Sequence, residues 1–279
     1  MKRACVIGWP ITHSRSPLIH GFWMRRYGID GAYDRIPLRP EDLDSFLASL
    51  RERGIAGCNV TVPHKEAAFR AAEIRDPSTV AVGAANTLWL ENERLAAANT
   101  DTYGFIENLD RSAPGWRKLN GPVLVFGAGG SARAVIYGFL QSARNDIRVF
   151  NRTPVRAREL AQHFGNCVTA VPWDERANHV RDAAVFVNTT TLGMNGVGSL
   201  GLDFAGARQG AVAADLVYVP LETEFLRSAR YRGIVTVGGL GMLLHQAVPG
   251  FEKWFGVRPE VTRELYDLIA NDIGGARCL

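Results

Sequence analysis

Apolar positions along this chain alternate between two periods. Short β-rich runs are followed by stretches in which apolar residues return every three or four positions, the pattern of βα units packed around a sheet. Residues 5–7 read as a first strand. Ser16-Pro17 then sets an N-cap serine before a proline at the first helical position, and Ile19, Phe22, Trp23 and Tyr27 follow at helical spacing, so a helix is expected from Pro17. A second helix is expected after Pro40, with Leu43, Phe46, Leu47 and Leu50 on one stripe, ending before Gly54. Residues 57–62 are again strand-like. Two apolar runs, 87–90 and 95–98, flank the polar turn Glu91-Asn92-Glu93 and predict a hairpin at the sheet edge.

A polar, glycine-containing connector at 115–121 separates this part from a second alternation that opens with Val123-Leu124-Val125-Phe126. Later strands are expected at 147–150, 184–188, 211–218 and 234–237. The last helical stretches, 242–255 and 259–273, come after the final strand and can reach back onto the first domain. The expected class is therefore two-domain α/β. An N-terminal α/β domain spans 1–102 and is completed by about 240–279; a doubly wound Rossmann-type domain spans 103–239. No internal repeat is evident.

Composition narrows the function classes. With 279 residues and 47% hydrophobic content, two domains can each bury a core. Charged residues make up 22% with mixed signs, as in a folded protein. A net charge of +4 suits anionic ligands, but no dense basic block or aromatic-basic interleaving supports a nucleic-acid surface. Cys5, Cys58, Cys167 and Cys278 form no CxxC pair, and no His/Cys cluster has metal-ligand spacing, so reduced thiols and no structural metal are expected. Gly8-Trp9-Pro10 cuts short the only apolar run near the start, which argues against a secretion signal. With no segment long and apolar enough to cross a bilayer, the cytoplasm is the expected compartment.

Val123 to Phe126 leads straight into Gly127-Ala128-Gly129-Gly130-Ser131-Ala132, and a helical pattern follows. This strand, glycine turn and helix suit a dinucleotide. Gly127 permits the tight turn, Gly129 lets backbone approach a pyrophosphate, and small Ala132 lets the helix pack on the strand with its N-terminus toward the anion. A glycine-rich βα turn without a ligand is the bland alternative. The next strand ends in Asn151-Arg152-Thr153, where an NAD site usually places a carboxylate for the ribose hydroxyls. A planar cation with neighbouring donors there favours a 2′-phosphate, hence NADP over NAD, against the alternative of a solvated surface arginine.

Three polar constellations mark the first domain. Ser14-Arg15-Ser16-Pro17 puts two hydroxyls at a helix start, suited to a carboxylate or simply to capping. In Asn59-Val60-Thr61-Val62-Pro63-His64-Lys65, Lys65 enters the first turn of an expected helix, where the dipole disfavours its ammonium and eases proton donation; an ordinary surface lysine is the alternative. In Asn99-Thr100-Asp101, with Asn86-Thr87 upstream, a carboxylate at the sheet edge can hold Lys65, or can be a turn aspartate.

Taken in order, these segments resemble the shikimate dehydrogenase (shikimate/quinate dehydrogenase) family over nearly the whole chain. The matching pieces are Gly8-Trp9-Pro10-Ile11 with His13-Ser14-Arg15-Ser16-Pro17, the run from Asn59 to Lys65, Gly83-Ala84-Ala85-Asn86-Thr87, and Asn99-Thr100-Asp101 with Gly104. The second domain adds the turn from Gly127 to Ala132, Asn151-Arg152-Thr153, and Asn188-Thr189-Thr190 with Gly193-Met194. It also adds Asp215-Leu216-Val217-Tyr218 with Pro220, and Gly238 to Gly241 with Met242 and Gln246. One departure is Gly21 after His20, where many members have asparagine; it bears on helix packing only.

The resemblance implies reversible reduction of 3-dehydroshikimate by NADPH, a step toward chorismate and the aromatic amino acids. Lys65 would protonate the developing alkoxide, and Asp101 would position Lys65 and bind a ring hydroxyl. Thr61, Asn86 and Gln246 would hold other hydroxyls, Ser14 and Ser16 the carboxylate, and Tyr218 would lie near substrate and nicotinamide. Gly127, Gly129 and Gly130, with Ser131 and Ala132, would hold the pyrophosphate; Asn151, Arg152 and Thr153 the adenosine phosphate; Thr189 and the backbone near Gly238 complete the cofactor site. Tyr218 as a core tyrosine and Gln246 as a helix-surface amide are the structural alternatives. Quinate or dual quinate/shikimate dehydrogenase, a dinucleotide-sensing regulator without turnover, and glutamyl-tRNA reductase are the competing functions. Two serines at 14 and 16 favour shikimate over quinate, intact Lys65 and Asp101 count against the sensor, and the lack of a tRNA-binding extension counts against the reductase. Cys58, among apolar neighbours, is expected to be buried and inert. A monomer or homodimer acting on a small molecule, without nucleic acid or membrane, is the expected assembly.

Overall fold

A computed structural model describes residues 1–275 and divides the chain into two compact units. Met1–Tyr103 with Leu244–Ile269 form the first; Gly104–Leu243 with residues 270–275 form the second. In chain order the first part carries β1 (Lys2–Gly8), α1 (Ser16–Arg26), β2 (Gly31–Pro37), α2 (Leu43–Ala48), β3 (Ile55–Val60), α3 (Lys65–Ala71), β4 (Ile74–Arg75), α4 (Pro77–Val82), β5 (Thr87–Glu91) and β6 (Arg94–Ala98). There follow α5 (Thr100–Ser112), β7 (Val123–Phe126), α6 (Gly130–Gln141), β8 (Ile147–Phe150), α7 (Pro154–Phe164), β9 (Val168–Val171), β10 (Val185–Asn188), β11 (Val212–Asp215), α8 (Glu224–Tyr231), β12 (Val235–Val237), α9 (Gly239–Phe255) and α10 (Arg263–Gly275).

The first sheet has the order β2-β1-β3-β5-β6-β4. β1 pairs parallel with β2 and β3, while β5 pairs antiparallel with both β3 and β6. The expected hairpin therefore forms, with Asn92 and Glu93 at positive φ in its turn, but it is not at the edge. The two-residue strand β4 pairs with β6 and takes the edge, a segment too short to leave a periodicity signal.

The helix start at Pro17 also differs in detail. Ser16 already lies inside α1, Arg15 precedes it in helical conformation, and no side chain caps the helix. The hydroxyl of Ser14 instead accepts from the Ser16 N–H at 3.3 Å, so the turn before Pro17 is wound one residue earlier than capping statistics suggest. The stripe Leu43, Phe46, Leu47 and Leu50 is buried as expected, and Gly54 follows at positive φ. Late helix α9 supplies Trp254 to the first unit; its indole N–H donates to the Leu88 carbonyl at 2.9 Å. A side chain at Gly57 would fall 2.2 Å from that indole nitrogen, so only glycine allows this docking.

His20 is fully buried in this unit, stacked on Tyr33 with ring centroids 3.9 Å apart and flanked by Trp23, Phe251 and Trp254. Among the described residues neither ring nitrogen finds a hydrogen-bond partner. Burial holds its pKa down at about 3, outweighing the neighbouring Asn59 side chain.

The second sheet is parallel throughout, in the order β12-β11-β10-β7-β8-β9. Counted from β7, this is the doubly wound order 3-2-1-4-5-6 of a Rossmann fold. Its strands are apolar runs buried on both faces, Val123 to Phe126 and Val185 to Val187 among them, as parallel strands require. Cys5, Cys58 and Cys167 are free thiols; Cys278 lies outside the described residues. Among the described residues no helix is long and apolar enough to cross a membrane.

Because the folded His20 titrates below its usual 6.5, its contribution to stability is present above pH 6.5 and is lost as the pH falls toward 3. By pH 5 the loss is on the order of 2 kcal/mol. His20→Phe is expected to flatten the decline in urea midpoint between pH 7 and pH 5; an equally steep decline in the variant would show that other groups carry it.

Candidate active site

Four segments meet at one end of the strands of the first sheet because of its pairing. β1 and β3 run parallel and end together, and antiparallel β5 begins where β3 ends, with Asn59 opposite Thr87. β6 returns to the same edge, with Ala98 opposite Thr87. The loops after β1 and β3, the start of β5 and the start of α5 therefore converge. Ser14 and Ser16 follow β1, Thr61 and Lys65 follow β3, Asn86 precedes β5, and Asp101 follows β6.

The Lys65 ammonium donates to Asp101 Oδ2 at 2.6 Å, with side chains 30% and 15% exposed. That exposure leaves the pair reachable by a small molecule. Asp101 is not on a turn but in the first turn of α5, where a carboxylate is favoured by the unpaired backbone N–H groups. The apolar stripe of α5 begins only at Phe105, so local periodicity does not show that Asp101 starts a helix. Asn86 donates from Nδ2 to Asp101 Oδ1 at 2.8 Å and lies 3.5 Å from Gln246 Oε1, so Gln246 on α9 joins the same cluster. Ser14 and Ser16 share a hydroxyl-hydroxyl bond of 3.2 Å. The Thr61 N–H donates to the Ile7 carbonyl at 3.0 Å, which ties the ends of β1 and β3. Lys65, Asp101, Asn86 and Gln246 are thus joined directly, and Ser14 and Ser16 form a separate pair of hydroxyls.

The second unit has its own candidate site at the point where strand order reverses, between β7 and β10. Gly127 stands at φ +113°, and a side chain there would meet Thr189 Oγ1 at 2.5 Å. Thr189 is held in place by donating to the Phe126 carbonyl at 2.8 Å. At Gly129 and Gly130, in contrast, an added Cβ meets nothing within 4 Å. The start of α6 therefore carries bare backbone N–H groups, no side-chain cap and open space in front, which fits a pyrophosphate. Ala132 is buried and packs in the core beneath, while Ser131 is exposed.

At the end of β8, Asn151 Nδ2 donates to the Thr153 carbonyl at 2.9 Å. Arg152 is exposed and has no ion pair among the described residues. Thr153 precedes α7 without capping it by its side chain, so its hydroxyl is available. No carboxylate stands at this strand end. The Gly238 carbonyl accepts from Asn108 Nδ2 at 3.0 Å, and Tyr218 is partly buried in the loop after β11.

Asp215, quoted in the sequence only as part of a motif, is 2% exposed at the end of β11. It accepts from Thr223 Oγ1 at 2.6 Å, Val217 N at 2.9 Å and Asn188 Nδ2 at 2.9 Å. These bonds set the start of the Tyr218 loop and of α8. Burial nevertheless raises its pKa to about 6, against the three donors. Its sequence signal was a lone acid directly after apolar strand residues.

The chain matches three family models: the shikimate dehydrogenase substrate binding domain over residues 6–88, shikimate / quinate 5-dehydrogenase over 116–195, and the shikimate 5'-dehydrogenase C-terminal domain over 239–263. It is 55% identical to the shikimate dehydrogenase (NADP(+)) of Brucella canis, covering 100% of this chain and 97% of that one. Among solved structures, shikimate 5-dehydrogenase from Thermus thermophilus in complex with NADP(H) and shikimate aligns with a TM-score of 0.85 at 36% identity, over 98% of this chain and 100% of that one. Quinate dehydrogenase from Corynebacterium glutamicum in complex with NAD aligns with a TM-score of 0.88 at 26% identity, over 97% and 99%.

A carboxyl whose folded pKa is raised stabilises the fold fully below its unfolded value of 3.8, and that contribution is lost as the pH rises through about 6. Asp215→Asn keeps acceptors for Val217 and Asn188 and offers Thr223 a donor. The variant is expected to gain stability over wild type as pH rises from 4 to 7, by on the order of 1–3 kcal/mol, read from urea unfolding. A constant difference across that range would count against a titrating Asp215.

Proposed function

The chain belongs to the shikimate dehydrogenase family, and on that premise we propose that it catalyses the reversible, NADP-dependent reduction of 3-dehydroshikimate to shikimate, within the route to chorismate and the aromatic amino acids. The observation that carries this reading is the Lys65–Asp101 pair, bonded at 2.6 Å and extended by Asn86 and Gln246. Reduction of a ring ketone develops negative charge on oxygen, and an ammonium held by a carboxylate both stabilises that charge and neutralises it by proton transfer.

Lys65 donates its proton to the nascent alkoxide and takes it back in the oxidation direction. Asp101 orients Lys65 and accepts from a ring hydroxyl. Thr61, Asn86 and Gln246 bind the remaining hydroxyls, Ser14 and Ser16 the carboxylate, and Tyr218 contributes to ring binding. NADPH, when bound, supplies the hydride. The backbone at Gly127, Gly129, Gly130 and Ser131 would hold its pyrophosphate at the start of α6, Ala132 keeping that helix close to the sheet. Asn151, Arg152 and Thr153 take the 2′-phosphate, and Thr189 with the Gly238 backbone completes the pocket. Support for NADP comes from the exposed Arg152, which makes no ion pair among the described residues, and the lack of a carboxylate at the end of β8. Action in the cytoplasm, as a monomer or homodimer without nucleic-acid or membrane partners, completes the reading.

Turnover of quinate is the second reading, favoured by the likeness to a quinate dehydrogenase. Initial rates of nicotinamide absorbance change for shikimate and quinate, each with NADP and NAD, decide between them. Shikimate with NADP is expected to dominate; dominance of quinate would sink the substrate assignment. Lys65→Ala is expected to lower kcat by about 10²–10⁴-fold while both ligands still bind. Arg152→Ala should raise KM for NADP about tenfold or more and leave NAD use almost unchanged, since a charge-assisted bond to phosphate is lost. Equal effects on the two cofactors would place the 2′-phosphate elsewhere.

A further inference from the structure

Asn86 is buried, and the orientation of its amide is forced. Its Oδ1 accepts from the Thr100 backbone N–H at 2.8 Å and from the hydroxyls of Thr100 and Thr87, each at 3.1 Å. A backbone N–H has no acceptor form, so a flipped amide would set donor against donor there. Nδ2 is thereby turned to Asp101 Oδ1. The bonds continue backward through buried groups. The Thr87 hydroxyl accepts from Asn59 Nδ2 at 3.3 Å, and Asn59 Oδ1 accepts from the Tyr33 hydroxyl at 2.6 Å. Burial pushes the Tyr33 phenol well above its ordinary pKa, with Cys5 and Cys58 acting in the same sense, so it remains a donor. From Tyr33 through Asn59, Thr87 and Asn86 every bond donates toward Asp101.

We propose that Thr87 is a positioning residue: with Tyr33, Asn59 and Thr100 it locks the Asn86 amide so that Asp101 is presented with a donor on each oxygen and held in place against Lys65. The assignment of a catalytic role to Lys65 and Asp101 rests on the function proposed above; the lock itself does not. Thr87 is 1% exposed and Thr100 4%, so neither is placed to touch substrate and both act through Asn86. Asp101 faces one charged group in its hydrogen bonds, Lys65 from α3; Asn86 before β5 and Asn99 before α5 are neutral, as is Gln246 on α9, which reaches Asn86. Without the Thr87 hydroxyl, Asn59 loses an acceptor and Asn86 a donor. The Thr100 N–H still opposes a full flip, but the amide has lost one of its fixing donors, and its Nδ2 bonds Asp101 less firmly, which favours the protonated carboxyl.

The test compares wild type with Thr87→Val, which keeps the shape and removes the hydroxyl, and Thr87→Ser, which keeps the hydroxyl. Asp101 is titrated by ¹³C NMR of carboxyl-labelled aspartate, its signal assigned by its disappearance in Asp101→Asn. Rates of 3-dehydroshikimate reduction with NADPH, the direction in which Lys65 acts as proton donor, are followed over the same pH range. In Thr87→Val the Asp101 midpoint and the acid limb of kcat should both move to higher pH, with kcat on the acid side of that limb reduced about tenfold. Thr87→Ser should restore both. Tyr33→Phe should shift them in the same direction by less. An unchanged Asp101 midpoint in folded Thr87→Val overturns the proposal, as does a loss that Thr87→Ser shares. If Thr87→Val does not fold, Tyr33→Phe decides by the same two readouts, an unmoved midpoint overturning the lock. Wild-type protein that turns over no shikimate defeats the functional reading, while the NMR midpoint still decides the lock.

Discussion

The antiparallel pairing of β3 with β5, in the register that sets Asn59 opposite Thr87, is the constraint on which the first unit's site depends. It places Asn86 beside the end of β3, and β6 then brings Asn99 to Asp101 back to the same edge. A slip of one residue would turn every β5 side chain to the other face. Thr87 would leave the buried cluster, and Asn59 and Asn86 would be left with unpaired polar groups in a dry environment, at a cost of roughly 1–3 kcal/mol each. The register is defended from both sides, by apolar burial of Leu88 and by the bonds Asn59 and Thr87 make on the opposite face.

The ion pair at that edge has a positional role rather than a stabilising one. Lys65 and Asp101 remain partly exposed, and an exposed pair contributes about 0–1 kcal/mol after screening. What the arrangement secures is geometry. Both oxygens of Asp101 have donors in place, and α5 begins at the carboxylate, so its orientation is fixed in advance.

The second unit solves a different problem with a parallel sheet. Reversal of strand order between β7 and β10 opens a crevice at the strand ends, and Gly127 makes the turn into it by adopting a conformation closed to other residues. Asp215 shows the opposite economy. It is buried and held by three donors, yet burial still outweighs them and leaves a carboxyl that titrates near neutrality. Its bonds to Val217 and Thr223 fix the loop that carries Tyr218.

Much of this was legible in the residues themselves. Strands at 123–126 and 147–150, the glycine turn and the exposed Arg152 follow from local rules, because backbone conformation at glycine and burial of continuous apolar runs are short-range properties. The residues later found at one end of the sheet were also visible, as hydroxyls, amides and charges in separate segments with the order of a known family. Tertiary structure alone decided that the hairpin lies inside the sheet, that Asp101 starts a helix, and that Ser16 lies within a helix rather than capping it. It alone revealed the chain from Tyr33 to Asp101 and the burial of Asp215. Each of these depends on which strand lies beside which and on what solvent can reach. Strand neighbours and burial are set by contacts between residues far apart in sequence, and local periodicity carries no record of them.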